Sequence, residues 1–226
     1  MKVRFLGHGC VWAEIGDSKI LIDPFITPNE KAADIKVDQL QPDYIFLTHG
    51  HEDHVADAEA IAKQSNAKIV AAFEITSWYE TKGCTNVHPM NIGGSWSFDF
   101  GKVKMVTAVH SSVLPDGTYG GNPAGFLFET KEGNFYFAGD TALTFDMKLI
   151  PTWCKLDFAV LPVGDNFTMG VEDAAVCANW VEAKKVIGVH FDTFGFIEID
   201  HEQAKNTFKQ KGVDLHLLKI GETIDI

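Results

Sequence analysis

The sequence predicts one domain of the α/β class, in which β-strands and helices pack within a single chain of 226 residues. Three observations support this prediction: a hairpin pattern at the amino terminus, a middle section that is mainly β, and alternating strand and helix patterns from Asp157 onward. A chain of this length can bury a substantial core and usually folds as one unit. We therefore expect residues 1–226 to form a single domain.

The composition is that of a folded protein rather than of a disordered, collagenous or coiled-coil one. Hydrophobic residues make up 46% of the chain and charged residues 22%, both close to the average for globular proteins. The formal net charge is 19 − 31 = −12, so the surface as a whole repels the phosphate backbone of nucleic acid. Nucleic acid is therefore not an expected partner.

The sequence predicts neither a membrane span nor a disulfide framework. No stretch approaches the ~18 apolar residues that a spanning helix needs, and Gly7 and His8 interrupt the first apolar run before a signal peptide could form. The four cysteines are scattered and include no C-x-x-C pair. We therefore predict reduced thiols, a cytoplasmic location and no membrane partner.

Five apolar runs in the first part of the chain predict strands, at residues 3–6, 11–15, 20–22, 44–47 and 68–72. A turn at residues 16–18 joins the second run to the third and predicts a hairpin. The fourth run is short and continuous, as in a strand buried on both faces. Between the fourth and fifth runs, Ala58, Ile61 and Ala62 recur at helical spacing.

The rest of the chain predicts a β-rich middle and then alternating strands and helices. Strands are expected at residues 102–109, within 126–137 on either side of a turn at 131–134, and at 158–163, 186–189 and 215–218. Helices are expected around residues 174–181 and from Asp200 to Gly212. Gln203 lies three residues after Asp200, as in a capping box, and Gly212 is a typical helix stop.

The segment LTHGHEDH, residues 47–54, is the most informative part of the sequence. His49, His51, Asp53 and His54 are four metal-binding side chains that directly follow a predicted buried strand. At a strand end the following chain is free to curl, so several ligands can converge on the small volume that a divalent metal requires. A solvated polar loop is the alternative interpretation, which we would favour for one histidine but not for this density of ligands.

Three further residues each end an apolar strand pattern: His110, Asp140 and His190. For any one of them alone, a hydrogen-bonded side chain at a sheet edge is an equally good interpretation. Together with the 47–54 motif, they indicate one pocket that gathers ligands from several strand ends. The remaining histidines outside the amino-terminal segment show no partner pattern, and we assign them to surface or packing positions: His88, His201 and His216.

These motifs, in this order, resemble the metallo-β-lactamase superfamily. The resemblance extends over nearly the whole chain, through LIDP near the start, the 47–54 motif, VHSS, GDT at 139–141 and VHFDT at 189–193. It is strongest for the small single-domain metal-dependent hydrolases, a branch that is similar to ascorbate-6-phosphate lactonase and more distantly to a phospholipase D acting on N-acyl ethanolamine lipids. It implies an αβ/βα sandwich, with two mixed β-sheets facing each other, helices on the outer faces and the site at one edge.

The resemblance also implies which residues hold metal. One metal is held by His49, His51 and His110, a second by Asp53, His54 and His190, and Asp140 bridges them. No cysteine occupies a ligand position and His54 is present, which argues against the lactamases that use a cysteine ligand. The oxygen-reducing di-iron members carry an acidic residue where this chain has His51, so a hydrolase is favoured over a redox protein.

Two divalent ions, with zinc favoured and manganese or iron as alternatives, would generate a bridging hydroxide that attacks the substrate. The implied function is metal-dependent hydrolysis of an ester, lactone or phosphoester bond in a small molecule. Two M²⁺ ions, two carboxylates and a hydroxide carry +4 − 2 − 1 = +1, so the substrate partner is expected to include anionic molecules. No other cofactor is expected, and a homo-oligomer remains open.

We assign catalytic roles to Asp53, which is also a metal ligand, and to His8. His8 follows the first strand, where it would donate a proton to the leaving group if it faces the pocket. Asp23 in LIDP is expected to hydrogen-bond a ligand histidine or its backbone. A turn aspartate before Pro24 is the alternative.

The loop at residues 114–125 and the phenylalanines after His190 are further candidates for the cavity wall. Gly120 and Gly121 would let backbone N–H groups approach a substrate, although such loops are more often flexible surface segments. We expect at least two of Phe191, Phe194 and Phe196 to anchor the core instead.

Two rival functions stay open. A phosphodiesterase or nuclease uses similar chemistry but is disfavoured by the acidic balance. A metal-loaded binding or sensing protein without turnover is the other rival, which the complete ligand set argues against. The substrate, the physiological metal, the leaving-group acid and the oligomeric state are not determined by the sequence.

Overall fold

A computed structural model describes all residues, Met1–Ile226, and shows two seven-stranded β-sheets. The first sheet has the order β14-β1-β2-β3-β4-β5-β6. Its strands are β1 (Lys2–Gly7), β2 (Cys10–Ile15), β3 (Ser18–Ile22), β4 (Tyr44–Phe46), β5 (Lys68–Ala72), β6 (Val87–Met90) and β14 (Thr223–Asp225).

The second sheet has the order β13-β12-β11-β10-β9-β8-β7. Its strands are β7 (Ser95–Phe98), β8 (Gly101–Thr107), β9 (Ala124–Thr130), β10 (Phe135–Phe137), β11 (Phe158–Pro162), β12 (Lys185–Val189) and β13 (Asp214–His216). Both sheets are mixed, because each combines antiparallel hairpins with parallel pairs.

Six α-helices connect the strands: α1 (Glu52–Val55), α2 (Ala58–Ser65), α3 (Phe73–Thr81), α4 (Ile150–Trp153), α5 (Val171–Trp180) and α6 (His201–Gln210). Short 3₁₀ helices occur at Glu30–Ala32, Val37–Gln39, Phe145–Leu149 and Gly195–Ile197. None of these helices has the length and the apolar character that crossing a membrane would require.

The inner faces of the two sheets pack against each other through aromatic side chains. Phe46 of the first sheet lies 5.2 Å from Phe126 and 5.1 Å from Phe128 of the second sheet, measured between ring centroids. The outer face of the first sheet packs with α2 and α3, and that of the second with α5 and α6, each through buried apolar residues. The predicted αβ/βα sandwich is therefore confirmed.

The strand directions determine where a site can form. In the first sheet β1, β3 and β4 run in the same direction, since two antiparallel pairings link β1 to β3 and a parallel pairing links β3 to β4. In the second sheet β8, β10, β11 and β12 likewise share one direction. The loops that follow these strands therefore emerge together at one edge of each sheet.

The structure confirms the amino-terminal hairpin, the strand at residues 68–72 and the later alternation of strands and helices, with bounds that differ by a few residues. Helix α6 begins after Asp200, whose side chain accepts hydrogen bonds from the backbone N–H groups of Glu202 and Gln203. The 47–54 motif is partly helical, because α1 starts at Glu52 with His51 as its N-cap.

Three elements in the middle of the chain had no sequence prediction: β6, α3 and β7. Helix α3 starts directly after β5 and has no side-chain cap. Its residues include Ile75, Thr76, Trp78 and Tyr79, which have modest helix propensity. Burial of Ile75, Thr76 and Tyr79 outweighs that local preference, which is why sequence pattern alone did not indicate the helix.

All four cysteines are unpaired, and their thiols are expected to react slowly in the folded protein. Burial raises the pKa of Cys154 to about 11 and raises the pKa of Cys10, Cys84 and Cys177 as well. A raised pKa leaves little thiolate, the reactive form, at neutral to mildly alkaline pH. Thiol titration with a chromogenic disulfide should therefore be slow in buffer and reach four per chain in denaturant. Rapid labelling of native Cys154 would contradict this prediction.

Candidate metal centre

The side chains predicted to form or support the metal centre lie at the carboxyl ends of strands from both sheets. In the first sheet they follow β1, β3 and β4, and in the second they follow β8, β10 and β12. In chain order they are His8, Asp23, the motif at 47–54, His110, Asp140 and His190. The fold therefore brings together at one edge residues that are remote in the sequence.

One cluster consists of three histidines, His49, His51 and His110. One ring nitrogen from each lies within 4.8 Å of the others. The shortest distance joins Nε2 of His49 to Nδ1 of His51, at 3.0 Å. His49 is buried, whereas the other two are partly exposed. Three converging imidazole nitrogens form a ligand set that is typical of one divalent transition metal.

A second cluster contains His8, Asp53, His54 and His190, again with ligand atoms within 4.8 Å of one another. The family resemblance implied one metal held by Asp53, His54 and His190, whereas His8 was predicted as a proton donor. Nε2 of His190 and Nε2 of His54 lie 3.8 and 3.9 Å from Oδ2 of Asp53. This group combines a carboxylate with imidazoles and could hold a second metal.

Asp140 lies between the two clusters. Its Oδ2 is 3.0 Å from Nε2 of His190, 3.3 Å from His54, 3.6 Å from His110 and 3.9 Å from His49, in each case measured to Nε2. The residue is only 4% exposed, so its carboxylate is directed at the histidines rather than at solvent. One carboxylate oxygen thus faces two histidines of each cluster.

Asp23 orients two of the histidines from beneath. Its Oδ2 accepts hydrogen bonds from Nδ1–H of His54 at 2.9 Å and from the hydroxyl of Thr48 at 2.6 Å. Because Thr48 donates its proton to Asp23, its oxygen accepts from Nδ1–H of His49, at 2.9 Å. Both rings therefore present Nε2 to the site. Asp23 makes the hydrogen bond to a histidine of the motif that the sequence analysis expected.

The buried polar atoms of this site are suited to a metal. Nε2 of His54 is buried and has no hydrogen-bond partner, although Oδ2 of Asp140 lies 3.3 Å away. A buried ring nitrogen without a partner is unfavourable unless something else binds it. A divalent cation bound by Nε2 would satisfy it, and the imidazole and carboxylate donors around it are those that such cations use. The residues present thus fit the metal that the motif implies.

The three histidines of the first cluster are in the protonation state that binds a cation. Burial, followed by the effect of neighbouring His54, lowers the pKa of His49 well below its ordinary value. Burial also lowers the pKa of His51 and of His110. All three imidazoles are therefore neutral near pH 7, which is the form that binds a metal.

In the second cluster, protonated histidines lie beside an ionised carboxylate. Although burial opposes the charged form, Asp140 raises the pKa of His190 to about 9 and, with Asp23, raises the pKa of His54 well above its ordinary value. Burial acts to raise the pKa of Asp140, but His54 and His190 hold it well below its usual range. A metal bound here would displace protons, since a cation and a proton compete for the same nitrogen.

His8 lies beneath Asp53 and does not line the cavity. It is 1% exposed, and its Nε2–H donates to Oδ2 of Asp53 at 3.0 Å. Its Nδ1 accepts from the hydroxyl of Thr193 at 2.9 Å. Burial lowers the pKa of His8 to about 4, so the ring is neutral and has one donor and one acceptor nitrogen. In this geometry His8 contacts a predicted ligand rather than a leaving group, and its proton-donor role stays a prediction.

The backbone at the site is held in an unusual conformation. His8, Asp23 and His190 have positive φ angles of 55°, 48° and 56°, a region that residues other than glycine rarely adopt. The chain is also tightly packed here. Gly164 lies so close to the carbonyl oxygen of His190 that no Cβ would fit at this position. Strained residues of this kind concentrate at functional sites, at about 1–3 kcal/mol each.

A cavity of about 630 Å³ opens above the clusters. Its lining comprises His51, Asp53, His110, Ser111, Asp140, Phe167, His190, Phe194, Gly195 and Phe196. The expectation that at least two of the phenylalanines after His190 anchor the core is wrong. Only Phe191 is buried, while Phe194 and Phe196 are 39% and 77% exposed and form part of the wall.

The loop at residues 114–125 does not line this cavity. The N–H of Gly120 already donates to the carbonyl of Ser112 at 3.3 Å, so it is not free for a substrate oxygen. A short β-bridge between Val113 and Tyr119 closes the segment on itself.

The three histidines that were assigned to surface or packing positions, His88, His201 and His216, also lie outside the clusters. His201 is paired with Asp192, and His216 with Asp214.

Four residues that contribute to the site were not identified from the sequence: Thr48, Ser111, Phe167 and Thr193. Thr48 links Asp23 to His49, and the Ser111 hydroxyl lies 3.3 Å from Nε2 of His51. Thr48, Ser111 and Thr193 each lie within one to three residues of a predicted ligand, which is the signal that could have found them. Phe167 carries no such signal.

Comparisons with known proteins identify the family to which the chain belongs. The profile of the β-lactamase superfamily domain matches residues 18–191. A UPF0173 metal-dependent hydrolase of Flavobacterium johnsoniae is 58% identical over 226 residues, covering 100% of both chains. The UPF0173 metal-dependent hydrolase YtkL of Bacillus subtilis is 47% identical over 231 residues, also covering 100% of both.

Among solved structures, Igni18, a metallo hydrolase from the archaeon Ignicoccus hospitalis, matches with a TM-score of 0.88 and 29% identity, over 99% of this chain and 97% of that one. The fold and the histidine-rich centre thus define a metal-dependent hydrolase with the metallo-β-lactamase fold. Within the β-lactamase superfamily, the chain belongs to the UPF0173 metal-dependent hydrolases.

Proposed function

We propose that this protein hydrolyses an ester, lactone or phosphoester bond in a small molecule, using two divalent metal ions. The observation that carries the proposal is the position of Asp140, whose Oδ2 lies 3.0–3.9 Å from histidines of both clusters. A carboxylate in that position could bind two neighbouring cations at once. The cluster of His49, His51 and His110 would hold one ion, and Asp53, His54 and His190 would hold the other.

When bound, such a pair of cations supplies an activated water as nucleophile and polarises the oxygen on which charge develops. The chain's residues prepare that chemistry. Asp23 and Thr48 hold the rings of His54 and His49 with Nε2 directed into the site. His8 donates to Asp53 and so fixes the direction of that carboxylate. Fixed ligand geometry of this kind is what keeps a catalytic metal centre in its reactive arrangement.

Zinc is the proposed metal, because imidazole-rich ligation suits it best, and manganese or iron can occupy the same donors. Asp53 and Asp140 offset only part of the charge of two divalent ions, so the centre attracts the negatively charged oxygen of a substrate. The chain carries a net charge of −12, which opposes the approach of a polyanion. The proposed partner is therefore a small molecule rather than nucleic acid.

A metal assay combined with a substrate screen tests the proposal. The purified protein is expected to contain two metal ions per chain and to hydrolyse at least one member of a panel of aryl esters, lactones and bis-aryl phosphates. Chelation should abolish turnover, and added zinc or manganese should restore it. Stoichiometric metal without turnover on the panel would favour a sensor, and turnover of polynucleotides alone would favour a nuclease.

A further inference from the structure

The wall of the cavity is aromatic, in contrast to its floor. Phe167, Phe194 and Phe196 line it and are 51%, 39% and 77% exposed. Large apolar side chains that are exposed together beside a polar centre usually mark a binding surface. The floor beneath them consists of the histidines and aspartates of the two clusters. A molecule in this cavity therefore meets polar groups at one end and aromatic rings at the other.

Two separate loops supply the wall, and both are held in place. Phe167 follows β11 and belongs to a turn in which Asp165 and Asn166 have positive φ angles. The N–H of Met169 in the same turn donates to the carbonyl of Thr141 at 2.9 Å. Phe196 lies in the 3₁₀ helix Gly195–Ile197, whose Ile197 is fully buried.

The rings of the two loops contact each other. Those of Phe167 and Phe196 pack edge to face with centroids 6.4 Å apart. Phe194 packs against His8 and Phe25, with centroids at 5.3 and 6.3 Å. The wall is therefore a preformed surface made from two segments, and an apolar group could pack on it without the wall first having to be ordered.

Neither lysine nor arginine lines the cavity. Its carboxylates, Asp53 and Asp140, and its histidines belong to the two clusters on the floor. A phosphate or carboxylate on the part of the substrate that is distant from the metal centre would therefore find no partner there. What this part of the cavity offers to the distal end of a substrate is aromatic surface.

We propose that the cavity selects substrates that carry an alkyl or aryl group next to the bond that is cleaved, with Phe167 and Phe196 as specificity-determining residues. This inference rests on the proposed function, since it concerns the same cavity. A polar sugar phosphate would bury no apolar surface on the aromatic wall, whereas an acyl chain or aromatic ring would cover both phenylalanines.

Binding of straight-chain carboxylates to the zinc-loaded protein tests the inference without turnover. Acetate, butyrate, hexanoate and octanoate share one metal-binding group and differ only in chain length. We expect Kd, measured by calorimetry, to fall about two- to fourfold for each methylene that contacts the wall. Phe196→Ala and Phe167→Ala should flatten this dependence while leaving acetate binding within about twofold.

Phe145→Ala is the matched control, because Phe145 is 73% exposed but stacks on Trp180 at another part of the surface. Equal affinity for acetate and octanoate, or no detectable binding of either, overturns the inference even if the substrate panel shows turnover. An oligomer that dissociates on Phe196→Ala with the chain-length dependence unchanged also overturns it, because the wall is then a subunit contact. Absence of turnover on the panel, with the dependence on chain length still present, counts against the proposed bond classes and supports the aromatic wall as a binding surface.

Discussion

Replacing Asp140 by asparagine is expected to lower kcat/KM for the best substrate of the panel by about a thousandfold, or about 4 kcal/mol. The variant keeps the shape of the side chain but removes the negative charge that faces four histidines at 3.0–3.9 Å. A neutral amide cannot serve two cations in place of a carboxylate, so the metal content should fall from two ions per chain toward one. Elemental analysis and steady-state kinetics measure the two effects.

Asp146→Asn is the control for this variant, because Asp146 is an exposed aspartate outside the clusters. Its metal content and kcat/KM should match those of the unmodified protein. Circular dichroism of Asp140→Asn should retain the native spectrum, since the substitution is nearly isosteric. If the variant retains two metal ions and loses less than tenfold in kcat/KM, Asp140 does not bridge the clusters.

Replacing Asp23 by asparagine is expected to weaken metal binding 10- to 100-fold, the usual effect of removing a hydrogen-bond partner behind a ligand. Asp23 is fully buried and accepts from the N–H and hydroxyl of Thr48 and from Nδ1–H of His54. An amide offers one acceptor oxygen, so in either orientation its NH₂ group faces a donor. The free energy of unfolding should fall by about 2–3 kcal/mol for the donors left unpaired. Zinc titration against a chromogenic chelator and urea unfolding check the two values.

Asp57→Asn separates a metal effect from a general loss of stability. Asp57 is also buried, and its Oδ2 accepts from the N–H groups of Ile26 and Thr27 at 2.7 and 2.9 Å, away from the ring nitrogens. This variant should lose stability while its zinc affinity stays within about threefold. If both variants weaken zinc binding equally, Asp23 contributes through stability rather than through histidine orientation.

Much of the fold could be predicted because its signals are local. The hairpin around residues 16–18 follows from its turn residues and the apolar runs on either side, and α6 follows from the Asp200 cap and the Gly212 stop. Helix α3 could not be predicted in this way, because burial of Ile75 and Tyr79 overrides weak helix propensity. Tertiary packing, which no local window contains, decides such a segment.

The candidate site could likewise be predicted only in part. The residue types in LTHGHEDH, together with His110, Asp140 and His190 at strand ends, were sufficient to predict that these side chains lie together in one place. Strand direction then brings them together, because strands of one direction end at the same edge.

By itself, then, the sequence determined the fold class, the superfamily and the set of residues that could bind metal, since each depends on motifs within short segments. Only the tertiary structure decided that Asp23 orients His54 and, through Thr48, His49, that His8 contacts Asp53 and Thr193, and that Phe167 meets Phe196 over the cavity. These contacts join segments as far as 185 positions apart. They depend on how loops with left-handed residues pack against each other, and no sequence pattern specifies that packing.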